Sequence, residues 1–157
     1  MRLNRSVLLN IAGCAIAGGA LFLFGWAAEK NARRPEPGKP SVAQVRAAYD
    51  RLPVPSDDAP ESAADSFDRG VTINVSGHFL ATGTSEQVFA YYRDRLSKQG
   101  WRLDASRVSS EGRPSIKFCK DGLSLVIGAI PQVARAPYYL SVSWTKSKAA
   151  FYYCPPT

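Results

Sequence analysis

The sequence predicts an α+β chain: an N-terminal transmembrane helix, then one small two-layer domain with a mostly antiparallel sheet of about five or six strands packed against one or two helices. Three observations predict it. An uncharged apolar run of 22 residues spans Val7–Ala28. A capped segment with helical periodicity covers 84–100, and almost everything beyond it alternates apolar with polar, broken by turn signals.

After a short tail, residues 1–6, the run VLLNIAGCAIAGGALFLFGWAA holds Asn10 as its one strongly polar side chain. A helix of that length, rising about 1.5 Å per residue, matches the roughly 30 Å hydrocarbon core. Residues 7–28 are therefore expected to be a retained single-pass anchor, with the membrane as partner. Two alternatives stay open. Small residues at Gly25 and Ala27 fit signal-peptide cleavage before Ala28, and Ile11-Ala12-Gly13-Cys14 resembles a bacterial lipobox, with lipidation at Cys14.

Flanking charge points one way and chemistry the other. Arg2 and Arg5 precede the run, whereas Lys30, Arg33, Arg34 and Lys39 follow it, so a Lys/Arg count alone puts the long part in the cytoplasm. The very short N-terminal tail and two further cysteines favour the outside. The expected location is the inner (plasma) membrane, with the C-terminal domain in the periplasm, outside the cytoplasm.

Residues 29–40 (EKNARRPEPGKP) have no large apolar group and read as a Pro/Arg-rich tether. The domain expected beyond it is 41–157, with its compact core over about 67–154. From Ser41 onward 14 of the 20 Lys and Arg meet 11 Asp and Glu, a net of +3 with both signs scattered. A nucleic-acid partner would need its positive charge gathered on one face, and that function is excluded.

Ser41 caps a helix whose Val42, Val45, Tyr49 and Leu52 share a face before Pro53 ends it. The stretch 53–66 mixes prolines with Asp57, Asp58, Glu61 and Asp65 and reads as a surface loop. Its carboxylates lack the regular offsets of a calcium loop, and no metal is expected. Val71, Ile73 and Val75 alternate in a strand that continues past a bend at Gly77 to Ala81.

Thr84 and Gln87 form a capping box for a helix over Ser85–Gln99, with Val88, Phe89, Tyr92 and Leu96 as its apolar stripe and Gly100 as its C-terminal stop. Trp101, Leu103 and Ala105 start the next strand, which is expected to pair in parallel with the one before the helix if the helix crosses over the sheet. Ile116 and Phe118 lie on a strand that turns at Asp121-Gly122, a strong hairpin signal, into Leu123–Ile127. Tyr138, Leu140, Val142 and Trp144 alternate along another strand, and Phe151–Cys154 reads as a short final one.

Among residues that carry chemistry, Cys119 and Cys154 are expected to form a structural disulfide. They lie 35 positions apart, and the chain-entropy stabilisation is roughly 3–4 kcal/mol. His78 is the sole histidine; a base for Ser76 or Cys119 in a small anchored hydrolase is the alternative it leaves open. Asp94 pairs with Lys98 four residues on, so Asp94 and Asp104 do not read as two catalytic carboxylates. No catalytic, cofactor-binding or metal-binding residue is assigned.

Tyrosines occur as three adjacent pairs. Outward Tyr139, Tyr152 and Tyr153, with Tyr91 and Arg95 on the helix shoulder, are the expected interaction surface for a protein partner. The function this supports is a membrane-anchored envelope module of bacterial type that binds protein without catalysis. A purely structural membrane-proximal domain is the third reading.

Overall fold

The computed structural model describes residues 38–130 and 135–156. The chain divides into two compact units, Met1–Gly38 and Lys39–Thr157. The described fold is that of the second.

Two helices and seven strands follow in the order α1 (Val42–Asp50), β1 (Ala59–Pro60), β2 (Asp65–Asp68), β3 (Thr72–Leu80), α2 (Ser85–Lys98), β4 (Arg102–Val108), β5 (Pro114–Lys120), β6 (Leu123–Ala129) and β7 (Pro137–Thr145). The seven strands form one sheet ordered β1-β3-β7-β6-β5-β4, with β2 also paired to β3. Every pairing is antiparallel. Strands β3 and β4 consequently run parallel, but three strands separate them, with α2 as the connection.

The transmembrane helix of the expected fold class is corrected. Among the described residues no helix is long and apolar enough to cross a membrane. The longest, α2, has 14 residues and carries Glu86, Arg93, Asp94, Arg95 and Lys98. A crossing helix needs about 20 largely apolar residues. Over the described residues the fold is two helices on a seven-stranded sheet. The stretch 7–28, on which the anchor expectation rested, lies outside the described residues, as do Cys14 and most of the tether.

Strand alternation builds one core. Ile73, Val75 and Phe79 of β3, Tyr138, Leu140 and Val142 of β7, Leu125 and Ile127 of β6, and Ile116 and Phe118 of β5 all face the helices. From α1 come Val45 and Tyr49, and from α2 come Val88, Phe89, Tyr92 and Leu96. Both helices carry complete capping boxes, Ser41 with Gln44 and Thr84 with Gln87. Each box satisfies backbone N–H groups that a helix start leaves without partners. Gly77 is regular in register with Leu140, so the expected bend there is absent. Its role is space: a Cβ at 77 would collide with the Tyr49 hydroxyl, so glycine is what lets α1 settle on β3.

Three further expectations change. The stretch 53–66 contains two short strands, β1 and the start of β2, which cover the outer edge of β3. Phe151–Cys154 forms no strand; it turns back across the sheet face opposite the helices. The remaining strand bounds shift by a few residues, as β6 runs on to Ala129.

Candidate functional site

The face away from the helices is built from the other half of the alternation. Asn74, Ser76 and His78 on β3 lie beside Ser143, Ser141 and Tyr139 on β7, then Ser124, Val126 and Gly128 on β6, then Cys119, Lys117 and Ser115 on β5. Most of this face is polar and yet covered. Asn74 Nδ2 donates to Ser143 Oγ at 2.7 Å and also to Ser141 Oγ. These side chains are satisfied by one another, as buried polar groups must be.

The cover is the C-terminal strap, residues 146–156. Lys146 N–H donates to Val71 O at 3.0 Å where the strap leaves β7. A disulfide joins Cys154 to Cys119, with Cα atoms 5.6 Å apart. Lys117, only 5% exposed, sends its ammonium to Tyr153 O at 2.7 Å and to Asp104 Oδ2 at 2.9 Å. Phe151 lies under the Arg107 guanidinium, with Cζ 4.2 Å from the ring centroid. A bulge between Leu103 and Ala105 in β4 places Asp104 where it reaches Lys117.

At one end of this face the cover stops and a cleft of about 390 Å³ opens. Its floor is a transverse row across four strands: His78, Tyr139, Gly128 and Ser115. With neighbouring strands about 4.8 Å apart, that row spans roughly 14 Å. The Tyr139 ring lies over Gly128, where a Cβ would collide with it. Burial raises the Tyr139 phenol pKa, and the neighbouring Tyr152 adds to the shift. His78 is exposed, its ring tilted 47° to that of Tyr139 with centroids 6.2 Å apart.

One wall is the β4–β5 turn. Ser109 N–H donates to Arg113 O at 2.9 Å, Gly112 N–H to Ser109 O at 2.9 Å, and Arg113 N–H to Ser109 Oγ at 3.1 Å. Gly112 has φ 76°, a left-handed conformation that favours glycine. This bonding positions Ser110 and the ion pair Arg113–Glu111, 2.9 Å long, on the rim. Ala129, Ile130 and Pro137 supply the apolar end.

A START domain-like family model matches residues 61–146, more than half of the sequence. The chain belongs to the START domain-like family. Comparison with curated proteins and with solved structures gives no match. The matched segment runs from just before β2 to just after β7, so the START domain-like part contains the cleft. The helix α1 and most of the strap lie outside it.

This assignment, with the absence of a crossing helix among the described residues, overturns the reading of the chain as a membrane-anchored envelope module. The inner-membrane and periplasmic location, and the membrane as partner, fall with that reading. The small anchored hydrolase falls too. Cys119 is tied into the disulfide, and among the described residues the His78 ring meets the ring of Tyr139 with no hydroxyl hydrogen-bonded to it.

The residues expected at an interaction surface lie on two faces of the sheet. Tyr91 and Arg95 stay together on α2, with Arg95 Cζ 5.7 Å from the Tyr91 ring centroid, on the helix side of the sheet. Tyr139, Tyr152 and Tyr153 belong to the opposite face, where Tyr153 is engaged through its carbonyl. Asp94 bonds Lys98 at 2.8 Å, which lowers its pKa, and Asp104 bonds Lys117, so each carboxylate has its own cation. The sequence reading missed Gly128, Ser115, Ser109 and Arg113. The usable signal for Gly128 was a glycine inside a strand pattern, which marks close approach by another group.

Proposed function

We propose that this START domain-like domain is a binding module that holds one small organic molecule, with an apolar body and hydrogen-bonding groups, in the cleft over Gly128. One observation carries the reading: beside the strap-covered part of the polar face, a cleft of about 390 Å³ has an apolar end and a polar rim. That size falls within the range of small-ligand sites, which combine apolar walls with a few placed polar groups. The groups available are binding groups. Hydroxyls of Ser109, Ser110 and Ser115 offer donors and acceptors, Tyr139 offers a ring face, and Ala129, Ile130 and Pro137 offer dry surface.

Rigidity supports the same reading. The floor is sheet, the wall is a hydrogen-bonded turn, and the adjoining strap is tied by a disulfide, so little ordering cost falls on the protein when a ligand enters. A ligand-observed NMR screen of small fragments against the full chain tests it. Hits should weaken by about tenfold or more, at least 1.4 kcal/mol, in Ser115→Trp, which places an indole in the cleft. Hits that bind Ser115→Trp as tightly as the unsubstituted protein would place the ligand elsewhere and end the proposal.

A further inference from the structure

Among the described residues two charged side chains line the cleft, Arg113 and Glu111, and they bind each other. Arg107 pairs in register with the floor residue Ser115 one strand further along the same face, where its guanidinium lies over the Phe151 ring. Both partners of the Arg113–Glu111 pair are largely open to water, with side chains 64% and 66% exposed. Exposed pairs of this kind are readily exchanged for another carboxylate. A guanidinium suits the exchange because its planar fork takes a carboxylate through two parallel N–H···O bonds.

The opposite end of the cleft is aromatic. The Tyr139 ring lies across the floor over Gly128, and the His78 ring is tilted beside it. Ring faces held in this way favour a flat, unsaturated partner over a puckered one, because offset stacking needs two planar surfaces. Resting on the reading of the cleft as a ligand site, we infer that its ligand is a small aromatic carboxylate. The ring stacks on Tyr139, and the carboxylate takes the Arg113 guanidinium in exchange for Glu111, assisted by the Ser115 and Ser109 hydroxyls.

Titration calorimetry and amide-shift mapping on the full chain, with naphthoate, naphthamide and the saturated decalin carboxylate as probes, test it. Naphthoate should bind at least about tenfold tighter than naphthamide and several-fold tighter than decalin carboxylate. Arg113→Gln should bring naphthoate down to the naphthamide level. Glu111→Gln should tighten naphthoate several-fold, a gain that loss of structure cannot produce. Tyr139→Leu should erase the advantage of the flat ring over the saturated one.

Equal binding of naphthoate and naphthamide, with shifts at Ser115 and Gly128, would keep the cleft and sink the carboxylate. A naphthoate preference that survives Arg113→Gln would sink the role of that arginine. Absence of shifts at Ser115 and Gly128 with every probe, together with a fragment screen insensitive to Ser115→Trp, would sink the cleft itself.

Discussion

The Tyr138 hydroxyl donates to Asp58 Oδ2 at 2.8 Å and lies 3.3 Å from the Tyr92 hydroxyl, while Asp58 Oδ1 accepts from Thr82 N–H at 3.0 Å. These contacts bind the acidic loop before β1 to the strand β7, to α2 and to the end of β3. Tyr138→Phe leaves the Tyr92 hydroxyl and one Asp58 oxygen without their partner, a loss of about 1–3 kcal/mol. Urea midpoints read it, and a cycle with Asp58→Asn should give less than the sum of the two single losses. Sequence alternation shows Tyr138 turning inward. It could not show Asp58, whose partner lies 80 positions away and whose neighbourhood of prolines and acids has the composition of solvated loop.

Burial, the first cause in each case, raises the pKa of both Tyr92 and Tyr138 above the ordinary 10.0. The unfolded chain therefore ionises these phenols first as pH rises. Their contribution to stability is fully present below pH 10.0 and drains away above it as the folded values are approached. Urea midpoints measured across that range should fall with pH, and less steeply in Tyr138→Phe. An equal slope in the variant would mean that other groups drive alkaline unfolding.

At the scale of elements, the helices were the readable part. Ser41 and Thr84 each begin a helix with a reciprocal partner three residues on, a purely local relation. Thr84→Ala should cost about 0.5–2 kcal/mol, measured by thermal or urea unfolding. The hairpin at Asp121-Gly122 was equally readable: both residues have positive φ, 50° and 76°, as a tight two-residue turn requires. Strands β1 and β2 escaped because they are two and four residues long, exposed throughout, and owe their conformation to the edge of β3.

The strap escaped for a different reason. Phe151, Tyr152 and Tyr153 have the composition of a strand, but β7 already has β3 and β6 on its two sides. The segment lies on the face, where the partner available to the Tyr153 carbonyl is the Lys117 ammonium. Replacing Cys119 and Cys154 together by serine should cost about 3–4 kcal/mol for a separation of 35, by the chain-entropy relation. The same variant should become more open to proteolysis between 146 and 153 while the far-ultraviolet spectrum of the sheet is retained. Cleavage there at the unsubstituted rate would show that Lys117 and Phe151 suffice to hold the strap.

At the scale of the whole molecule, the two-layer plan followed from periodicity, whereas the order of strands and the cleft did not. Order depends on which edges find partners, and the cleft exists because Gly128 and Ser115 are small where a row crosses four strands. Neither property is local in sequence. The START domain-like match covers β2 to β7 and α2, and the flanking α1 and strap then close opposite faces of the sheet.

The strand order also carries a kinetic consequence. Strands β4 to β7 are joined successively, so that half of the sheet assembles through near neighbours, whereas β3 must find β7 across about seventy residues, as in the pair Val75 and Val142. Closing the long loop is the slow, entropically opposed step, and contacts made early sit within the meander. Leu125→Ala in β6 is therefore expected to act mainly on the folding rate, and Val75→Ala mainly on the unfolding rate. Stopped-flow measurements giving Val75 the higher fractional effect on folding would mean that the chain commits first to its most distant pairing.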